Sequence, residues 1–404
     1  MSQAATSPGP EPRYRWVIVI AAALVLGIAM GQLVNGLSVF FLPLEAEFGW
    51  SRGAVAGINS AGLVGIALGG IVMGFLADRI GVRAIVLTGA VAIPLATILA
   101  ARAEALWQFY ALFFLAGALG GGALFAPVIA LVGGWFRTGA GLAIGIASAG
   151  QALGQGGVPW ALGHLISWTG WQSALTILGL VTAATLIPLA LLLRPAPAPP
   201  PQPAAAPGRA PLPTALVLPA LSLAVLGCCT GMAVPLMHLV PLIQGATGLG
   251  AEAGGPLLTM LVAGVGGRIF FGRLSDMIGA LPAWMAATAW QTALMMGFLL
   301  MDSLTAFFLF APLYGFGYGG VMTGVLVSVR ALTPAARRAS ATGIVLSFGW
   351  LGHALGGWQG GALFDLTGAY TATFAVATAA GAANLLIVGS LLLALRQRGA
   401  PAAA

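Results

Sequence analysis

Gly74-Phe-Leu-Ala-Asp78-Arg79-Ile-Gly81 returns later in the chain as Gly272-Arg273-Leu-Ser-Asp276-Met-Ile-Gly279, with five of the eight positions identical. Each copy follows a hydrophobic segment. Glycine lets the backbone turn sharply, and Asp can cap a helix N-terminus or pair with a loop arginine. One such stretch is a weak signal. Two of them, after matching segments, point to an internally duplicated membrane protein, an architecture common among transporters. The glycines, acids and arginines of both copies are therefore candidates for loops that switch conformation: Gly74, Asp78, Arg79 and Gly81, and Gly272, Arg273, Asp276 and Gly279.

The rest of the composition agrees. The 404 residues are 59% hydrophobic and only 6% charged, against roughly 25% charged in soluble domains. A helix needs about 20 apolar residues to cross the hydrocarbon layer. Runs bounded by charge, Pro and Gly predict six spans, near 16–43, 53–77, 83–101, 105–133, 139–163 and 170–193. Six more lie near 214–245, 254–274, 281–301, 303–329, 339–364 and 370–395. The predicted fold is all-α, with twelve transmembrane helices in two pseudo-symmetric six-helix bundles, 16–193 and 214–395. Residues 1–15 and 396–404 read as tails, and 194–213, rich in Pro and Ala, reads as an extended linker. The segment Met1–Arg15 lacks the short apolar core and cleavage site of a signal peptide.

Charge orients the array. All 16 basic residues are Arg. Thirteen fall in the tails or at the even-numbered gaps between spans, while Arg52 and Arg102 fall in odd-numbered gaps. Positive charge in short loops is retained on the cytoplasmic side, so both ends of the chain are expected inside, in a plasma membrane such as a bacterial inner membrane. The basic balance reflects topology and lipid head groups rather than nucleic acid. Cys228 and Cys229 are adjacent in an apolar run and read as small helix residues, with neither metal-site spacing nor an ordinary disulfide available.

The two signature stretches resemble the loop between the second and third helices of the major facilitator superfamily. Other stretches resemble its monocarboxylate porters and oxalate/formate antiporters: Ser38 to Leu44 with Gly49-Trp-Ser-Arg52, Gly134-Trp135-Phe136-Arg137 with Gly141 and Gly145, Leu313-Tyr314 to Gly320, and Gly361 to Tyr370. The resemblance implies two six-helix bundles around a central cavity that opens alternately to each side. It implies small carboxylates as substrates, often moved with a proton, and it places the family's carboxylate-binding arginine on Arg268. Two departures stand out. Gly264 occupies the position where animal members carry an Asp one turn earlier, and the chain has no Lys, which argues against a reader of dicarboxylates.

Independently of resemblance, Arg268 is the one arginine inside a span, and an intramembrane charge is a functional-site hypothesis by default. Its planar fork matches a carboxylate; the alternative is snorkelling toward the nearby end at Arg273. No Asp or Glu lies mid-span, so a lone cationic site favours an anion. Further candidate substrate contacts are Tyr314 and Tyr318, one turn apart, and Gln151 and Asn35. Gln155, one turn beyond Gln151, could bind substrate or bridge helices. His238, between Pro235 and Pro241 where a helix break is expected, could bind substrate or carry a proton, as could His353. Each histidine could equally pack against a freed carbonyl. Trp350, Trp358 and Gln359 read as packing groups.

The expected function is secondary active transport of a small organic anion of the lactate or pyruvate type, with a proton as the candidate co-substrate. Alternatives are an oxalate/formate-type exchanger and a proton-coupled exporter of hydrophobic compounds, the latter disfavoured by the missing membrane acids. No nucleophile, metal cluster or paired carboxylates converge, so no enzyme chemistry, metal or cofactor is expected. Gly-rich runs lack the Lys-Ser/Thr of a nucleotide site, so neither ATP nor an ATPase subunit is implied.

Overall fold

A computed structural model describes residues 13–50, 52–197, 213–248 and 251–397. The part of the linker at 198–212, the ends of both tails, Arg209 and Arg398 lie outside the described residues. The described chain is helical, with no strand.

The N-terminal half begins with α1 (Tyr14–Met30), which continues through a π-helical stretch, Gly31–Asn35, and a 3-10 stretch, Gly36–Phe40, into α2 (Phe41–Phe48). Then follow α3 (Arg52–Ile80) and α4 (Val82–Ala100). Next, α5 (Leu106–Leu115) passes through a π-helical stretch, Ala116–Gly121, into α6 (Gly122–Trp135), and α7 (Ala140–Thr169) and α8 (Trp171–Leu192) complete the half. The C-terminal half contains α9 (Thr214–Thr247), α10 (Gly255–Ile278), α11 (Ala280–Met295), α12 (Leu304–Leu332), α13 (Arg338–Thr367) and α14 (Thr371–Gln397). Among the described residues helix is the only regular structure, because an apolar segment in lipid must satisfy its own backbone groups.

Among the described residues, ten helical segments are long and apolar enough to cross a membrane. The two expected spans outside that set are α7 and α13, each 30 residues long. Both are rich in Gly and carry Gln, Ser and His, which lowers their apolarity and suits them to the centre of the molecule.

Helix boundaries differ from the sequence reading at the signature stretches. They are not loops but the last turns of α3 and α10, which run to Ile80 and Ile278. Only Gly81 and Gly279 form the turn, with φ of 93° and 95°, a region that favours glycine because any Cβ strains it. The expected break in the seventh span is also absent. α9 stays continuous through Pro219, Pro235 and Pro241. A packed neighbour explains this: α13 presents Gly352, Gly356 and Gly360 to α9, and a Cβ at Gly360 would strike the His238 ring.

Two large cores lie mainly one in each half, the first also taking in Ala280, Leu326, Val327 and Leu346 from the second. One joins α1, α4, α6, α7 and α8, with Leu26, Ile129 and Ile144 at its centre. The other joins α9, α11, α12 and α14 around Trp284, Phe298 and Phe374. Inside the first, Gln32 donates to the Thr97 hydroxyl at 2.6 Å and accepts from Thr182 at 3.0 Å, so its buried amide is satisfied on both sides. The halves meet where α3 packs on α13 and α7 packs on α10.

Candidate functional site

The seam between the halves is built from the signature residues. Asp78 accepts hydrogen bonds from the backbone N–H groups of Ala339 (3.2 Å) and Ser340 (2.9 Å), in the first turn of α13. Asp276 does the same for Gly141 (2.8 Å) and Leu142 (2.9 Å), in the first turn of α7. Each aspartate thus caps a helix of the opposite half, where orphan N–H groups and the helix dipole favour an anion. Of the two roles the sequence allowed, capping is the one found; Arg79 and Arg273 lie exposed beside these caps. Arg330 adds a third clasp, donating to the carbonyls of Gly133 (2.8 Å) and Phe136 (2.6 Å) where α6 ends.

Glycine lets the backbones touch along this seam. A Cβ at Gly74 would lie 2.7 Å from the Ala339 carbonyl oxygen, and one at Gly145 would collide with the Arg268 carbonyl. Further from the capped end, Ser347 donates to the Ala67 carbonyl at 2.7 Å, and the hydroxyls of Ser148 and Thr323 lie 3.4 Å apart. Every hydrogen bond described between the halves lies between this level and the capped end.

Beyond the seam the helices part around a cavity. Its C-terminal wall carries Arg268, Tyr318, His353 and Cys229, and its N-terminal wall carries Asn35, Gln151 and Gln155. The rest is apolar, with Phe125, Leu236, Leu261, Leu346 and Trp350 among the lining side chains. Arg268 is only 4% exposed, and its Nε and Nη1 have no hydrogen-bond partner. It therefore does not snorkel to the helix end. The Gln151 Oε1 is likewise buried without a partner. His353 donates from Nδ1 to the Gly349 carbonyl at 3.1 Å, which leaves Nε2 free of backbone. Asn35 closes the π-helical stretch that follows α1, and such bulges often occur at functional sites.

Five of the seven expected substrate contacts or proton carriers thus converge on these walls: Arg268, Tyr318, Gln151, Asn35 and His353. Tyr314 and His238 do not line the cavity. Tyr314 is fully buried in the C-terminal core, its ring centroid 5.0 Å from Phe298 and its hydroxyl 3.9 Å from the Met295 sulfur. One turn on, the same face of α12 leaves the core, and Tyr318 reaches the cavity. His238 donates from Nε2 to the Gly357 carbonyl at 3.0 Å and lies against Tyr370, so it ties α9 to α13. Cys229 and Trp350, read from sequence as packing residues, line the cavity instead. Spacing could have flagged Trp350, which shares an α13 face with His353 at a ring separation of 6.0 Å. No local pattern marks Cys229, because its role depends on where α12 and α13 meet α9.

The profile of the Major Facilitator Superfamily matches residues 23–314. The chain belongs to that superfamily. Rat "Monocarboxylate transporter 13" is 26% identical over 395 residues, spanning 95% of this chain and 89% of the relative. Mouse "Monocarboxylate transporter 11" is 30% identical over 391 residues, spanning 91% and 85%. Among solved structures, the Escherichia coli fucose:proton symporter FucP superposes with a TM-score of 0.73, at 14% identity, over 94% of this chain and 99% of its own. At that identity the likeness shows the fold alone. The protein is a multi-pass integral membrane transporter with monocarboxylate transporter homologues, and it is not an enzyme.

Proposed function

We propose that this transporter is a secondary active carrier of a small organic anion, a monocarboxylate, working by alternating access with proton symport. One observation carries the reading: the Arg268 guanidinium is buried on the cavity wall with Nε and Nη1 both unsatisfied. An unpaired buried charge is costly to hold, and a carboxylate matches its fork with charge-assisted hydrogen bonds. No acid is among the lining residues, so a cation would find no partner there. The names of the rat and mouse relatives support the same substrate class.

In this reading Tyr318 and the amides of Gln151 and Asn35 complete the substrate contacts, and His353 takes the proton. The membrane array has twelve spans, α7 and α13 included, with both chain ends cytoplasmic on the arginine count. The capped seam is then the cytoplasmic gate, closed, and the cavity faces outward across a plasma membrane, in a bacterium the inner one. A bound carboxylate neutralises Arg268 and permits the halves to close over it.

The test is uptake of labelled lactate and pyruvate into proteoliposomes, with and without an inward proton gradient. Wild type is expected to respond to the gradient, and His353→Gln is expected to keep exchange but lose that response. Uptake that ignores the gradient and requires anion on the far side would replace symport by exchange. An Arg268→Gln protein with normal transport would remove the carboxylate site.

A further inference from the structure

Three metal-ligating side chains meet on the C-terminal wall of the cavity, each from a different helix. The Cys229 thiol of α9 lies 3.9 Å from the Met322 thioether sulfur of α12, 93 residues away in the chain. The same thiol hydrogen-bonds the His353 imidazole of α13. The backbone holds it there: a Cβ at Gly349, one turn before His353, would stand 3.4 Å from the Cys229 Sγ. All three side chains line the cavity.

The imidazole is already posed as a ligand. His353 donates from Nδ1 to the Gly349 carbonyl at 3.1 Å, so the ring presents the lone pair of Nε2. Metal-ligating histidines are fixed by such a bond from the other nitrogen. The sulfurs fit as well. Two donors each about 2.3 Å from one ion and 3.9 Å apart subtend about 120°, the trigonal angle. Thiolate and thioether together select a soft ion such as Cu+, whereas hard cations need oxygen. Among the described residues no three of His, Cys, Asp and Glu gather around a metal position, so the Met322 sulfur is what completes the set. Cys228 takes no part, since its thiol donates to the Val225 carbonyl at 3.3 Å.

A thiol beside a thioether is also an ordinary packing contact. Packing accounts for neither the imidazole on the same thiol nor the opening of all three groups onto one cavity.

We propose that Cys229, Met322 and His353 form a binding site for a soft monovalent metal ion, Cu+ or Ag+. On binding, the Cys229 S–H bond breaks, its proton leaves to water and a metal–sulfur bond forms, with no change of oxidation state. The thiolate offsets the charge of the ion, so the filled site is neutral on the wall it shares with Arg268. The bound ion occupies His353; where that residue carries the proton, as proposed above, the metal inhibits coupling. Binding itself depends on no transport reading.

The test presents Cu+ to the purified protein as its coloured bicinchoninate complex under ascorbate, and loss of colour reads transfer of the metal. Wild type and Cys228→Ser are each expected to withdraw one equivalent. Cys229→Ser is expected to bind about a hundredfold more weakly or worse, and Met322→Leu and His353→Gln about tenfold more weakly each. A second measurement needs no ligand variant: Cu+ or Ag+ is expected to protect Cys229 of the Cys228→Ser protein from maleimide, and Zn2+ at the same concentration is not. Wild type that withdraws no copper would overturn the site, as would Cys229→Ser that binds as wild type does. Met322→Leu and His353→Gln both binding like wild type would reduce it to a bare thiol and overturn it equally. Equal protection by Zn2+ would overturn the soft-ion assignment.

Discussion

Arg268 is held where the folded protein gains least from it. The residue is 4% exposed with its Nε and Nη1 unsatisfied, and its mirror position in the first half is Gly70, so the fold does not require a charge there. A residue kept for stability and one kept for ligand predict opposite outcomes on removal. Arg268→Leu is expected to raise the Tm of the ligand-free protein by a few degrees, as replacement of poorly paired buried charge often does by about 1–4 kcal/mol. The same variant is expected to lose substrate affinity by about 2–5 kcal/mol, some 30-fold or more. Arg268→Lys should fall between, because an ammonium supplies the charge without the planar fork. Differential scanning of the apo protein beside uptake assays checks both; a drop in Tm with unchanged uptake would make Arg268 structural. His238 offers the contrast. Its hydrogen bond to Gly357 ties helices together, so His238→Ala is expected to cost about 1 kcal/mol of stability and to leave substrate affinity unchanged.

At the scale of elements, the duplicated stretches do one job twice. Asp78 caps α13 and Asp276 caps α7, each through two backbone N–H groups across the seam. These bonds exist only while that end is closed. Neutralising either acid is therefore expected to shift the conformational equilibrium the same way, toward opening at the capped end. Bonds to a charged acceptor are each worth about 1.5–3 kcal/mol, so Asp78→Asn and Asp276→Asn should each change the population ratio by about tenfold or more. Labelling of Cys229, which lines the cavity, by a thiol reagent from either side reads the shift. Opposite shifts in the two variants would break the symmetry argument. Much of this was legible before any coordinates: the repeat located both acids, and capping was one of the two roles their chemistry allows. Which helix each would cap was not legible, because the partner lies in the other half and no local pattern encodes it. The same limit explains the site. Arg268 stood out as an intramembrane charge, whereas Tyr314 and Tyr318 look alike along the sequence, and only the packing of α12 decides which reaches the cavity. The prolines of α9 misled for a related reason, since a glycine-faced neighbour preserved the helix they would break in isolation.

For the whole molecule, glycine contacts serve two different ends, and the difference can be measured. Within the first half, Gly154 of α7 meets the backbone of α1 at Gly27; this contact must persist in every conformation. Between the halves, Gly343 of α13 meets the backbone of α3 at Gly70; this contact must form and break in each transport cycle. Backbones this close exclude a side chain in both places, and overpacking costs about 1–3 kcal/mol. The cost falls on different equilibria. Gly154→Val strains the half itself, so its Tm is expected to fall by several degrees, with transport lost in proportion to unfolded protein. Gly343→Val strains only the closed seam, so the folded halves should keep their Tm while the population moves to the state open at that end. Its uptake is expected to fall about tenfold or more, with Cys229 labelled faster from the cytoplasmic side. Because the two variants make the same chemical change in equally tight contacts, a shared loss of Tm would mean that the seam is part of the permanent core. Divergent results would identify the halves as two rigid bodies and the glycine seam as the hinge surface on which alternating access turns.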